Sequence, residues 1–392
     1  MKNPSSRKDA LIHENPIFQN TFAFFDIPFF IQSNSYHLLE FFNTLYKQFI
    51  SIEKTDLSNG SSYFLFKRKF DSEILQFRIN KGKGIPISLK SNPFPMADSF
   101  IFNDVVKKVR NYYLIHALSL SFQGKGVIFS GPTGSGKTTL GLELIQRGFQ
   151  FLSDELAALS RSSHLLFPFP RALCIRKKTI DLFERSNGFY FSPTHPIGDQ
   201  RWMIDNEDFS KGSTGKPCKP NLIFLLSTQS FSGKGLDNEI PITLELKRKD
   251  DQLLSELSEL SGVKYLSASL KDGFYYPRFR VRKSRIVQKE FIRICEKYQE
   301  SVLYRIKAVN QTPNPNADPK LIPISKTVAA LELFGNLQNV SFDGLSDFSS
   351  PLGTPPQILA GLSAIVAKTQ CYRLVVGDLK KTADLVCDLV RR

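Results

Sequence analysis

The run from Phe22 to Ile31 is apolar, broken only by Asp26 and Pro28, and reads as buried strand material. Helical spacing follows at Leu38, Phe41, Phe42, Leu45 and Phe49, which predicts a helix over Tyr36–Ile50. Two strand-like stretches, Tyr63–Phe70 and Glu73–Ile79, lie between turn signals at Asn59-Gly60 and at Lys81-Gly82-Lys83-Gly84. Further on, Val105, Val106, Val109, Tyr112, Tyr113 and Leu114 predict a helix over Asp104–Leu120. The Gln123-Gly124-Lys125-Gly126 turn then leads into a short buried strand, Val127–Phe129. A helix over Leu140–Arg147 ends at Gly148, and Phe149–Leu152 is a second strand ending in Ser153-Asp154-Glu155.

The later pattern predicts a core strand over Asn221–Leu226. In Pro277–Arg282, Phe279 and Val281 alternate with Arg278, Arg280 and Arg282. A helix is expected over Ser284–Tyr304, and the prolines between Val309 and Pro323 mark a linker or excursion. The tail, 356–392, reads as helix, strand, a Gly377-Asp378 cap and a final helix. The expected organisation is an N-terminal accessory domain, 1–98, and a larger domain, 99–392, in which the chemistry resides.

Composition narrows the classes. The chain has 392 residues, 41% hydrophobic and 23% charged, which excludes wholesale disorder and leaves ample length for a core. Its 34 Phe against one Trp make that core aromatic without indicating a function. Cys174, Cys218, Cys295, Cys371 and Cys387 are odd in number and lack C-x-x-C spacing, so neither a disulfide framework nor a zinc site is expected. Met1–Lys8 is basic but leads into no apolar run, and no apolar stretch approaches the roughly 20 residues of a membrane span. A cytoplasmic, soluble protein without a membrane partner is the expectation.

The chemistry concentrates at Gly131, Pro132, Thr133, Gly134, Ser135, Gly136, Lys137, Thr138 and Thr139. This stretch satisfies G-x-x-x-x-G-K-[ST], the phosphate-binding loop, here with a buried strand before it and a helix after it. Glycines let backbone N–H groups wrap a phosphate at the positive end of a helix. In such a loop, Lys137 reaches the β/γ-phosphates of ATP and the Thr138 hydroxyl ligates Mg²⁺. No N-K-x-D base reader follows, and only a Leu260-Ser261-Gly262 fragment stands where an ABC ATPase needs L-S-G-G-Q. Instead Asp154 and Glu155 stand 17 and 18 residues beyond Lys137. That interval fits one helix and one strand, which brings the acids back beside the loop; one can hold Mg²⁺ and the other can take a proton from an attacking hydroxyl.

His116, separated from Gly131 by 14 residues, then the loop, Arg147-Gly148 and Asp154-Glu155 together resemble the catalytic segment of HPr kinase/phosphorylase. The match is closer still to the looser group of HPr-kinase-related P-loop kinases. The resemblance covers about 40 residues. It implies an α/β P-loop kinase core of the HPr kinase/phosphoenolpyruvate carboxykinase type, here preceded by a small α+β N-terminal domain, with homo-oligomeric assembly. By the same resemblance, Lys137 contacts transferred phosphate, Thr138 with Asp154 binds Mg²⁺, Glu155 is the proton acceptor and His116 assists it. Two features depart from the family pattern: the acid pair is Asp-Glu rather than Asp-Asp, and Pro170–Ile175 keeps Arg171 but lacks the family's glutamate and both glycines.

The expected function is ATP- and Mg²⁺-dependent transfer of the γ-phosphoryl group to a hydroxyl, a Ser on a protein or peptide. The alternatives are a small-molecule or carboxykinase-like phosphotransferase on the same fold, and a regulatory module that binds ATP without catalysis. The formal charge of +15 bears on the partner, since Lys271–Lys307 alone carries eleven Lys/Arg against four Asp/Glu. Arg171, Arg278, Arg280 and Arg282 are the candidate contacts to phosphate or an acidic acceptor, with a solvated face as the bland reading. Nucleic acid ranks last, because Phe279 and Val281 face the buried side and leave no stacking surface.

Overall fold

The computed structural model describes residues 18–51, 61–68, 71–80, 82, 84–88, 93–132, 134–187, 195–196, 201–205, 214–228, 239–271, 274–282, 284–298, 301–306, 313–343 and 347–391. The chain divides into two compact units, Met1–Val105 and Val106–Arg392. The boundary expected at residue 98 falls inside a helix, Phe94–Val106, which carries the first unit to its end.

In the first unit, strands β1 (Phe18–Phe24), β2 (Ile27–Ser33), β3 (Ser61–Arg68), β4 (Asp71–Ile79) and β5 (Ile85–Ser88) form one sheet in that order. The buried strand material expected over Phe22–Ile31 belongs to two strands, β1 and β2. The chain reverses at Phe25-Asp26, where Phe25 adopts φ 55°, and Phe22 pairs with Phe29 across the hairpin. Helix α1 (Tyr36–Leu45) stops short of the expected Ile50 and passes into a 3₁₀ turn, Lys47–Phe49. It serves as the crossover between the parallel strands β2 and β3. Phe22, Phe24, Phe29, Phe41, Phe42 and Phe77 fill the interior, and the hydroxyls of Tyr46 and Tyr63 donate to Asp98 and Asp104 of α2 (Phe94–Val106). The turn expected at Asn59-Gly60 lies outside the described residues.

The second unit is built on a mixed sheet. Its first strands are β6 (Tyr112–Phe122), β7 (Lys125–Ser130), β8 (Gln150–Ser153), β9 (Leu156–Ser160) and β10 (Leu166–Phe167), with α3 (Lys137–Gln146) between β7 and β8. The chain continues through β11 (Leu173–Arg176), α4 (Lys177–Asn187), β12 (His195–Pro196) and β13 (Arg201–Ile204) to β14 (Lys219–Thr228). An excursion follows: β15 (Glu239–Leu246), α5 (Asp251–Glu259), β16 (Val263–Lys271), β17 (Phe274–Arg282), α6 (Arg285–Lys297) and β18 (Val302–Ile306). The remaining elements are β19 (Lys320–Pro323), α7 (Lys326–Gly335), β20 (Ser341–Asp343), β21 (Asp347–Ser349), α8 (Pro355–Val366), β22 (Gln370–Val376) and α9 (Leu379–Arg391).

The main sheet runs β10-β9-β6-β7-β14-β22-β19, with β8 also on β6; β7, β14 and β22 are parallel. Successive side chains of these strands enter two cores. Leu118, Leu120, Phe129, Phe224 and Leu374 meet α3 and α9 on one face. Ile115, Ala117, Ile128, Ile223 and Leu225 meet α7 and α8 on the other. That double burial explains why Asp104–Leu120 is not the expected helix: α2 ends at Val106 and Tyr112–Phe122 is a central strand. A strand covered on both faces loses its alternation, and its apolar run then imitates a buried helix.

Two other expectations change. The helix expected to reach Tyr304 stops at Lys297, and Val302–Ile306 pairs with β15 instead. The proline-rich stretch is more than a linker, since Lys320–Pro323 forms the sheet's last strand against β22. Its proline is tolerated because only one side of an edge strand is paired. Residues 309–312 lie outside the described set. Among the described residues no helix is long and apolar enough to cross a membrane, and the five cysteines have no disulfide partner.

The close fit of α3 on the sheet gives a direct check. A Cβ on Gly141 would stand 2.9 Å from Leu118 Cδ1 of β6. Gly141→Val is expected to destabilise the second unit by about 2 kcal/mol through overpacking, read as a lower denaturation midpoint in urea.

Candidate active site

Strand order makes the site. β6 is antiparallel to β7 on one side and to β8 on the other, so β7 and β8 run in the same direction and end at the same edge of the sheet. The hairpin that sets this order turns at Gln123-Gly124, both at positive φ (50° and 78°), the signature of a tight two-residue turn. The Gly131–Thr138 loop leaves the end of β7, and Asp154-Glu155 leaves the end of β8.

The loop's glycines have separate structural reasons. A Cβ on Gly131 would meet Leu226 at 2.9 Å, whereas Gly134 (φ 88°) has nothing within 4 Å of that position. Gly136, at φ 90°, caps α3 without a side-chain hydrogen bond, and the first turn of α3 carries no acid. Among the described residues its leading N–H groups therefore have no intrahelical or capping side-chain acceptor. Ser135 is buried, and its hydroxyl has no hydrogen-bond partner among the described residues. Thr133 lies outside the described residues. Thr139 faces away toward α4, where its hydroxyl is 3.2 Å from that of Thr179.

Asp154-Glu155 follows directly on a disturbance in the ladder, at Leu152. The register of β8 against β6 shifts between Ser119 and Leu120, and the chain then resumes along β6 as β9. The acids are therefore not at a true strand terminus but at a break between two strands on one neighbour. Such irregularities re-aim side chains next to active sites. The Ser153 hydroxyl holds the break by accepting the N–H groups of Glu155 and Leu156, at 3.2 and 3.0 Å.

The predicted residues converge here. The Thr138 hydroxyl donates to the Asp154 carboxylate at 2.9 and 3.1 Å to its two oxygens. His116, on β6 one step before the break, places Nδ1 3.6 Å from Glu155 Oε1. The Lys137 ammonium folds back onto the carbonyls of Gly131 (2.7 Å) and Pro132 (3.3 Å). Arg171, just before β11, is buried and close enough for its charge to act on Glu155. The other three arginines are not brought here. Arg278, Arg280 and Arg282 lie on β17, in a separate sheet, and make no hydrogen bond or ion pair with the described residues of the loop or with the acids.

Electrostatics splits the two acids. Burial, and next the Glu155 charge, push the Asp154 carboxyl up to about 6 against the opposing Thr138 hydrogen bond. Burial also acts upward on Glu155, but His116 beside it, with Arg171 and Lys137, outweighs it and holds that carboxyl well below the usual range. The Glu155 side chain keeps 47% of its surface open, consistent with charge rather than burial deciding its state. Burial lowers the Lys137 ammonium, while Asp154 and Glu155 resist. Among the described residues no group of three or more His, Cys, Asp or Glu side chains could enclose a metal by itself. The Thr138–Asp154 pair can supply two oxygen ligands to a cation that completes its shell elsewhere.

Sequence reasoning missed one neighbour. Pro313 lies against the loop, since a Cβ on Gly136 would stand 3.2 Å from Pro313 Cγ. The stretch containing Pro313 is anchored at the end of β22 by the Asp378 N–H, which donates to the Ala317 carbonyl at 2.7 Å. Its proline content was the available signal, but proline does not say what a segment lies against.

No family model matches the chain. A segment of 57 residues is 39% identical to HPr kinase/phosphorylase of Bordetella pertussis, and the proteins of that name from Bordetella parapertussis and Bordetella bronchiseptica match equally. That segment is 14% of this chain and 18% of each relative, so the chain spans less than a fifth of the curated relatives it matches. Among solved structures, the Hpr(Ser) kinase/phosphatase from Coxiella burnetii aligns over 48% of this chain and 92% of its own, at 17% identity and a TM-score of 0.20. Over that segment the chain is similar to HPr kinase/phosphorylase, and its architecture is mixed α/β.

The raised Asp154 carboxyl has a stability consequence. Above pH 6 the fold holds this acid ionised against its preference, whereas in the unfolded chain it ionises from about pH 4. Its cost is thus present at neutral pH and fades as pH falls from about 6 to 4. Asp154→Asn is expected to raise the melting temperature at pH 7.5 without Mg²⁺, by about 2 kcal/mol in stability, with no gain left at pH 4. Melting followed across that range measures it.

Proposed function

We propose that the chain is an ATP- and Mg²⁺-dependent kinase that transfers the γ-phosphoryl group to a hydroxyl, a Ser on a protein or peptide. The observation that carries this reading is the meeting, at one sheet edge, of the Thr138–Asp154 hydrogen bond with the Glu155–His116 pair beside the Lys137 loop. The name borne by the Bordetella relatives supports the same class of reaction.

The residues present fit a nucleotide. Gly134 leaves open space where a side chain would stand, and the buried Ser135 hydroxyl and the uncapped start of α3 offer donors to phosphate oxygens. Lys137 would exchange its two loop carbonyls for phosphate oxygens. Thr138 and Asp154 would hold Mg²⁺, and when bound that ion supplies charge neutralisation across the phosphates. Arg171 adds a positive charge that acts on Glu155.

Glu155 is assigned the acceptor hydroxyl. Its carboxylate is held ionised at neutral pH, and its partial exposure leaves room for a side chain from solvent to approach. Phosphoryl transfer through a loose transition state asks the base to orient the hydroxyl and receive its proton late, so an ionised, placed carboxylate serves even with low proton affinity. His116, 3.6 Å from Oε1, would hold the carboxylate in place. The downstream glutamate missing around Arg171 leaves Asp154 as the acidic metal ligand in this scheme.

Lys137→Ala is expected to remove Mg²⁺-ATP binding, read by calorimetry. Glu155→Gln is expected to keep that binding and slow phosphoryl release or transfer by roughly 10²–10⁴-fold, followed with labelled ATP. Unchanged transfer in Glu155→Gln removes Glu155 from its role, and a wild-type chain that does not bind Mg²⁺-ATP removes the whole reading.

A further inference from the structure

The excursion between β14 and β19 is a unit with its own core. Its chain order is strand, helix, strand, strand, helix, strand, and its antiparallel sheet runs β16-β17-β15-β18. This is the split β-α-β-β-α-β arrangement, in which both helices cover one face of the sheet. Here α5 and α6 contribute Leu253, Leu257, Phe291 and Cys295 to a cluster with Leu244, Leu246, Phe279 and Val281.

The opposite face is basic. Side chains alternate across a strand, so Arg278, Arg280 and Arg282 point away from Phe279 and Val281. Lys264 of β16 stands opposite Arg280 and extends the row; Glu239, opposite Arg282, is an acid at one corner. None of the three arginines has an ion-pair partner among the described residues, and Arg278 and Arg282 are exposed.

Among the described residues, the edge beside this row is apolar and unpaired. β16 is nine residues long and pairs only with β17 among the described strands. On its helix side, opposite Phe279 and Tyr275, Tyr265 remains 39% exposed and Leu270 75% exposed. Leu266, at the register shift, is 41% exposed. Long edge strands with exposed apolar side chains invite another strand, and native proteins normally blunt them.

We propose that β16 is a docking edge for an extended segment of a partner protein in which acidic and apolar residues alternate. The segment adds to the sheet as a further strand. Its backbone pairs with the free side of β16, its acids meet Lys264 and the arginine row on the open face, and its apolar side chains cover Tyr265 and Leu270 on the helix side. Charge complementarity sets the first requirement and the exposed edge sets the second. A single strand of nucleic acid satisfies only the first. Stacking needs exposed rings along the basic face, and there Tyr276 is half-buried while Phe279 is fully buried on the other side.

The test uses the full chain and a fluorescein-labelled peptide of nine residues, the length of β16, with glutamate and valine alternating. Anisotropy is expected to show saturable binding that weakens as salt rises from ~50 to ~500 mM. A peptide of the same composition with its glutamates and valines in separate blocks is expected to bind roughly tenfold more weakly. The triple change Arg278→Ser, Arg280→Ser, Arg282→Ser is expected to lower affinity by at least about tenfold and flatten the salt dependence. Leu270→Ser is expected to weaken binding with the salt dependence retained. Equal binding of the alternating and blocked peptides overturns strand addition, and tighter binding of a uridine oligonucleotide overturns the choice of partner. No binding of the alternating peptide overturns the proposal. The peptide comparisons leave the protein unaltered, so they decide even where a variant fails to fold.

Discussion

The direction of β6 is the constraint on which the rest depends. Because it runs against both β7 and β8, the ends of those strands share one edge, two strand spacings or roughly 10 Å apart. The glycine-rich loop starts from one and the acid pair from the other. Between Thr138 and Asp154 the chain has only α3 and β8 to travel through, and Gly148, at φ 92°, makes the reversal between them. Were β6 antiparallel to one of them and parallel to the other, the loop and the acids would stand at opposite edges with no change in their sequence. The 2.9 Å contact from Thr138 to Asp154 is thus a product of sheet topology before it is one of side-chain chemistry.

Adjacent acids with different surroundings then acquire different properties. Asp154 turns in toward Thr138 and is raised by burial and by its neighbour's charge, whereas Glu155 turns toward His116 and Arg171 and is lowered. The split follows the general pattern in which environment, rather than residue type, assigns roles to a carboxylate pair. It also has a structural cost, since one half-buried acid is held ionised at neutral pH against its preference. A cation placed between Thr138 and Asp154 would offset that cost, which links the stability of this corner to the proposed chemistry.

How much of this could be read from the sequence depends on how local the cause was. Gly131–Thr138 and Asp154-Glu155 were legible because glycine spacing and a short return interval leave few geometries. His116 was legible only through its distance from the loop along the chain. The strand carrying it was misread as a helix, because Tyr113, Ile115 and Ala117 serve one core while Leu118 and Leu120 serve the other. Local periodicity cannot register burial on both faces. The contact of Pro313 with Gly136 was invisible for a different reason: nearly 180 residues separate them, and only the end of β22 brings them together.

The arginines make the sharpest case. Arg171 and Arg278 looked alike as basic residues beyond the loop, yet one is buried beside Glu155 and the other lies exposed on a different sheet. What separates them is the connection from β14 to β22. Parallel neighbours cannot be joined by a tight turn, so a long crossover is obligatory there. Once a crossover is required, lengthening it adds little, because closure entropy grows only with the logarithm of loop length. A unit that fills its own core with Leu244, Phe279 and Phe291 brings the stabilisation for its own ordering. The sheet therefore tolerates β15–β18 without the β14–β22 pairing being disturbed, and the basic face of that unit is free of the constraints that fix the loop. Its charge need not serve the nucleotide at all, which is why a cluster of positive residues in the same chain as a phosphate-binding motif is poor ground for assigning them to it.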